Sequence, residues 1–282
     1  MPLGSRAGDK KVRDRNLIFG VLAAVIALIG ASLTWILGAD DEVKSADCSD
    51  SNHLAGHTIV VLDRTDRLTS NQQRYIVARM RRLVGVNSDG DVVQGEGALG
   101  AGERLTVFEV SPGEFGELSD PILSICRPRD GSKASELYEN GRLIERRFEQ
   151  RFLKPFEAFL STIKGGGLQE SPILETLFDI AARDDFNAEV LNRRLLIFSD
   201  MLQHNENLSF YRAVPPHDAW LTSSYGRHLQ PKMGNVTVEI QTLLHLQDAR
   251  GAQQDKALIS FWAQYFDEAS GPGSLRIEKI RD

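Results

Sequence analysis

Two aspartates close apolar runs in this sequence: Asp63 ends Val60-Val61-Leu62-Asp63, and Asp200 ends Leu195-Leu196-Ile197-Phe198-Ser199-Asp200. Thr65 follows Asp63 by two positions, and Ser171 stands before Pro172 at the start of an apolar helical pattern. Two carboxylates and two hydroxyls are hard oxygen donors, the set suited to Mg²⁺ or Mn²⁺ with waters filling the remaining positions. Asp63, Thr65, Ser171 and Asp200 are therefore the candidate metal ligands. Three neighbours would modulate such a centre. Asp66 offers one more carboxylate oxygen. Arg67 brings a guanidinium that would pair with Asp63 or Asp200 and replace the metal's charge by a charge-assisted hydrogen bond. His204, four residues past Asp200, would line the same place. The plainer alternative is that both aspartates only accept hydrogen bonds at loop starts.

For these side chains to meet, the elements carrying them must end on one edge. His57–Leu62 is a β-rich run ending at Asp63. Thr69 and Gln72 form a capping-box pattern ahead of Ile76, Met80, Leu83 and Val84, which recur at helical spacing. A polar stretch with several glycines, 85–102, leads to a second strand at 105–110, and Pro121–Cys126 reads as a short edge strand. Residues 133–163 read as one helix with Leu143, Ile144, Phe148, Phe152, Phe156, Phe159 and Leu160 as its apolar stripe, kinked by Pro155. After Gly165-Gly166-Gly167, Ser171-Pro172 reads as an N-cap with proline at the first helical position. The strand 195–199, a loop-rich region with Pro215, Pro216 and Pro231, a strand at 236–244, a helix at 252–269 and a strand at 275–280 complete the chain. No internal repeat is visible.

Strands alternating with helices predict an α/β fold: a doubly wound, mainly parallel sheet with helices on both faces. Ligands of such sheets sit beyond the carboxyl ends of the strands, where Asp63 and Asp200 fall. At these residues the chain resembles the von Willebrand factor A family. That family's metal-ion-dependent adhesion site has D-x-S-x-S after the first strand, a threonine at a later helix start and an aspartate after the fourth strand. Here Asp63-Arg64-Thr65-Asp66-Arg67 matches at Asp63 and Thr65 and departs at Arg67. Ser171-Pro172-Ile173-Leu174 after the glycine run is similar to the family's T-P-L helix start, and Leu195–Asp200 to its fourth strand. The resemblance covers roughly residues 57–282 and implies a binding module with a Mg²⁺- or Mn²⁺-dependent site.

A metal-dependent hydrolase is the competing expectation. Haloacid-dehalogenase-like phosphatases also open with a strand ending in a nucleophilic aspartate, but they need a second aspartate two residues on, where Thr65 stands. The six histidines show no HExxH or other close ligand pairing, so surface or core histidines are expected for most of them. Arg74, Arg79, Arg81 and Arg82 on the first helix offer a surface for an acidic partner, but such a run is usually a solvated face.

The chain has 282 residues, 41% hydrophobic and 26% charged, the profile of a folded protein. Its formal charge of -6 gives no reason to expect nucleic-acid binding. One segment departs from the average: Leu17–Leu37 has no charged residue over 21 positions. As a helix it would cover about 31 Å, a bilayer's hydrocarbon core. A cleaved signal peptide is the alternative, but Leu37 stands where a small residue would precede Ala39. Arg6, Lys10, Lys11, Arg13 and Arg15 before the run oppose an acidic stretch after it, which predicts a cytoplasmic N-terminus. The expected organisation is a basic tail (1–15), a transmembrane helix (16–37), an acidic linker (38–56) and an extracytoplasmic domain (57–282). Its partner would be a protein of an envelope complex. Cys48 and Cys126, both on the exported side, are expected to form a disulfide.

Overall fold

In the computed structural model the described residues are 25–28, 48, 54–93, 95–112, 120–132, 134, 139–164, 166–230, 232–246, 249–271 and 274–281. The chain divides into two units, residues 1–44 and 45–282. In the first, Val25–Leu28 are helical and exposed. The basic tail, the rest of the apolar run and all but a few residues of the linker lie outside the described residues. No helix among the described residues is long and apolar enough to cross a membrane.

The second unit is built on a six-stranded sheet of order β3-β2-β1-β4-β5-β6. Its strands are β1 (Gly56–Leu62), β2 (Glu103–Glu109), β3 (Leu123–Cys126), β4 (Arg193–Ser199), β5 (Thr237–Leu243) and β6 (Leu275–Ile280). Only the edge strand β3 runs antiparallel; every other neighbouring pair is parallel. β1 is buried along its whole length, which is why it reads as a continuous apolar run rather than an alternating one. Val60 and Leu62 face a core shared with Ile76, Met80, Leu83 and Val84, whereas Ile59 and Val61 face the opposite core with Leu174, Leu177, Phe261 and Trp262. Helices therefore cover both faces.

The first helix, α1 (Ser70–Val84), begins with a complete capping box between Thr69 and Gln72 and ends at Gly85 with φ 71°, a left-handed turn suited to glycine. Its arginines divide: Arg74 and Arg82 are exposed, as a solvated face requires, whereas Arg79 and Arg81 are half-buried and paired. Arg79 pairs with Glu239 at 2.7 Å and Arg81 with Glu157 at 2.7 Å, stitching α1 to β5 and to the next helix. The long aromatic helix starts later than the period suggested. It comprises α2 (Gly141–Phe148), a π-helical segment Glu149–Leu153 and α3 (Lys154–Leu160). Asn140 caps α2 by accepting from Leu143 N, and Leu143 itself is exposed. The π segment precedes Pro155, which has no N–H to continue an α-helical ladder. Phe148, Phe152, Phe156, Phe159 and Leu160 are buried as one stripe. The second face carries α4 (Ile173–Ala181) and α7 (Lys256–Ser270), and the loop-rich region between β4 and β5 holds two short helices, α5 (His217–Thr222) and α6 (Ser224–His228).

Cys48 and Cys126 form a disulfide with Cα atoms 5.9 Å apart. Cys126 pairs in register with Arg104, and Glu103 beside it with Gly56. The disulfide therefore lies at the end of the sheet where β1 and β2 begin, opposite the edge where Asp63 and Asp200 fall.

His57, at the start of β1, is fully buried. Its Nδ1 lies 2.8 Å from the Asp185 carbonyl, which can only accept, so Nδ1 carries the proton and Nε2 accepts from Thr106 Oγ1 at 2.8 Å. Burial pushes its pKa down from 6.5 to about 4. Between these values the unfolded chain binds the extra proton, so this residue's contribution is complete above about pH 6.5 and lost as pH falls toward 4. A full shift is worth up to about 3 kcal/mol. Urea unfolding of wild type and His57→Gln from pH 4 to 7 should show the stability gap between them narrow on acidification; a pH-independent gap would refute the assignment.

Candidate functional site

Because β1, β4 and β5 are parallel, the residues that follow them share one edge. Asp63 follows β1, Asp200 follows β4, and His245 lies two residues past β5. The strand order runs outward in both directions from the β1–β4 pair, the point at which α/β sheets open a crevice.

Asp63 is buried, and all its acceptor capacity is used. Oδ1 accepts from Thr65 N at 3.0 Å and Thr65 Oγ1 at 2.6 Å; Oδ2 accepts from Ser171 Oγ at 3.1 Å and Ser199 Oγ at 2.6 Å. Four donors fill the four lone-pair sites of a carboxylate. The Ser199 hydroxyl also accepts from Met201 N at 2.8 Å. Met201 is held at φ 63°, a left-handed conformation rare for such a side chain, and its carbonyl accepts from Trp262 Nε1 at 2.9 Å. The β1 and β4 loops are thus tied together through one serine.

Asp200 is 6% exposed. Its Oδ1 accepts from Leu202 N at 2.8 Å, and its Oδ2 lies 2.9 Å from His245 Nε2. Burial pushes this carboxyl up to about 6; the Asp63 charge adds to the effect and the His245 hydrogen bond opposes it. Burial pulls the His245 imidazole down, but the hydrogen bond to Asp200 and the charges of Asp200 and Asp66 outweigh it and hold its pKa above the ordinary value. Asp66 Oδ1 takes the Arg250 guanidinium. Its Oδ2 is shut off from solvent, takes no hydrogen bond and lies 3.5 Å from His245 Nε2.

The residues expected from the sequence divide accordingly. Asp63, Thr65 and Ser171 meet in one hydrogen-bonded cluster, with Asp200 near enough to act on Asp63 electrostatically. Ser171 is not the helix cap: α4 starts at Ile173, the Ser171 hydroxyl turns to Asp63, and Gln203 Oε1 caps the helix by accepting from Leu174 N at 2.9 Å. A buried carboxylate is the stronger acceptor, so it wins the hydroxyl. Arg67 does not neutralise the aspartates. It is exposed on the rim of a small recess lined also by Asp63, Thr65, Asp66, Asp200 and His245, and the cations on the carboxylates are His245 and Arg250 instead. His204 touches the cluster through its backbone, exchanging hydrogen bonds with Ser171 at 2.7 and 2.9 Å. Its ring bonds Ser209 at 2.9 Å and stacks on Tyr211 at 4.4 Å, turned to other partners. The glycine run has a steric cause at Gly166, whose N donates to the Arg64 carbonyl at 2.9 Å; a Cβ there would fall 2.2 Å from that oxygen.

Sequence reasoning did not place Ser199, His245 or Arg250 in the candidate metal set. Two carried a signal. Ser199 is the last residue of its strand, and His245 follows a predicted strand just as Asp200 does.

A Mg²⁺ or Mn²⁺ centre on Asp63, Thr65, Ser171 and Asp200 does not fit this arrangement. Asp63 spends all four lone-pair sites on protein donors, so it orients the two hydroxyls rather than ligating. No protein-family model matches the chain, and no curated protein is significantly similar to it.

Proposed function

We propose that this chain is a membrane-anchored binding module of von Willebrand factor A type. Residues 17–37 span the bilayer, and residues 45–282 stand outside the cytoplasm as an interaction or assembly component of an envelope complex. The observation that carries this reading is the Asp63 cluster. An aspartate ending a central strand gathers the hydroxyl two residues on and the one before α4, beside a second aspartate after β4, in the order of the family's adhesion motif. The strand order, with helices on both faces of a mainly parallel sheet, agrees with a doubly wound fold of that type. The disulfide supports export, since such bonds persist in oxidising compartments. It also places the chain's entry one strand length, roughly 20 Å, from the Asp63–Asp200 edge.

Site-specific photo-crosslinking in membranes of the source cell tests this. A crosslinker at Arg67, on the site rim, should trap a discrete protein partner, while one at the exposed Leu191, before β4, should not. Equal trapping at both positions, or at Leu191 alone, would overturn the assignment of the binding face.

A further inference from the structure

We infer that Asp66, Asp200 and His245 form a site for a transition-metal dication of the Zn²⁺ class, sharing only Asp200 with the all-oxygen adhesion set. The ligand atoms, one oxygen from each carboxylate and the His245 nitrogen, all lie within 4.8 Å of one another. Each carboxylate has its outward oxygen fixed by a separate donor, Arg250 on Asp66 and the Leu202 amide on Asp200. Outer-shell donors of this kind orient the ligating oxygens of metal sites. The His245 backbone is fixed as well: its N–H donates to Gln254 Oε1 at 2.7 Å, and a Cβ on Gly251 would fall 2.0 Å from its carbonyl oxygen.

Asp66 Oδ2 is the observation that points to a ligand. The Asp66 side chain is 25% exposed, but this carboxylate oxygen is closed off from water and takes no hydrogen bond, with His245 Nε2 3.5 Å away; an anionic oxygen without a donor is poorly compensated. Among the described residues, the cationic side chains paired with the carboxylates Asp63, Asp66 and Asp200 are Arg250 and His245, so the carboxylates outnumber the cations. A dication between Oδ2 of Asp66, Oδ2 of Asp200 and Nε2 of His245 supplies positive charge and takes the place of the His245–Asp200 hydrogen bond. The imidazole decides the metal class. Nitrogen donors suit Zn²⁺ and Co²⁺, whereas Mg²⁺ prefers an all-oxygen shell. Three protein ligands leave the fourth tetrahedral position open, and the recess bordered by Arg67 lies beside it. A partner's carboxylate could take that position with Arg67 as its second contact. This last step rests on the binding-module reading; the metal site does not.

The test is a titration of the metal-stripped full-length chain in detergent with Co²⁺, followed by visible absorption. The expected result is one equivalent bound with the intense bands of a four-coordinate N/O site, displaced by stoichiometric Zn²⁺ and unaffected by a hundredfold excess of Mg²⁺. Asp66→Asn, which keeps an oxygen for Arg250, and His245→Gln should each weaken Co²⁺ at least tenfold, while Glu189→Gln, at an exposed carboxylate on the loop before β4, should leave it unchanged. Absence of Co²⁺ bands in the wild type, equal competition by Mg²⁺, or loss on Glu189→Gln would overturn the site. If a variant fails to fold, Co²⁺-shifted imidazole resonances of wild-type His245 decide the matter, and their absence overturns the proposal. Metal binding without the Arg67 crosslink would refute the binding-module reading alone; the crosslink without metal binding would refute this site alone.

Discussion

Asp63→Ala is expected to destabilise residues 45–282 by about 4 kcal/mol. Four donors converge on this carboxylate, and hydrogen bonds to a charged group contribute about 1.5–3 kcal/mol each. The sum is reduced because the hydroxyls can re-pair and because Asp200 loses a like-charged neighbour. Thr65 N cannot turn elsewhere, and the Ser199 hydroxyl remains committed to Met201 N, so the β1 and β4 loops lose their common tie. Asp63→Asn should cost about half as much, since its one carbonyl oxygen still serves Thr65. Urea unfolding of the two variants beside wild type checks this. A loss of under about 1 kcal/mol for Asp63→Ala would show that the cluster is ornamental rather than structural.

Reducing the Cys48–Cys126 disulfide should have an effect of similar size. The bond closes a loop of sequence separation 78, and the entropy it removes from the unfolded chain is worth about 4 kcal/mol for a loop of that length. The melting temperature of the Cys48→Ser/Cys126→Ser protein should fall by on the order of 10 °C, with wild type in strong reductant behaving alike. The two midpoints should coincide because both break the same bond. A reduced wild type that melts with the oxidised protein would refute the stabilising role. The bond lies at the opposite end of the sheet from Asp63, with no shared partners, so this loss should add to that of Asp63→Ala.

Much of the scaffold is legible in the sequence because its causes are local. β1 is legible as a β-rich run ending at Asp63, and α1 from a capping box whose reciprocal bonds span three residues. β6 falls at 275–280 as the sequence predicts. The expectation that Asp63, Thr65 and Ser171 meet also rests on local signals, since strand ends and helix starts of a parallel sheet share an edge. Cys48 and Cys126 needed only that no other cysteine compete.

What depended on tertiary structure was the choice among partners. Ser171 as a helix cap and Ser171 as a donor to Asp63 are the same residue with the same local pattern; only a buried carboxylate 108 positions away decides between them. Arg67 stands four residues from Asp63, yet His245 and Arg250, far along the chain, reach the carboxylates instead. Sequence distance says nothing about which cation a fold delivers to a buried charge. The strength of that attraction depends on burial, and burial exists only once the two cores have closed on either side of the sheet.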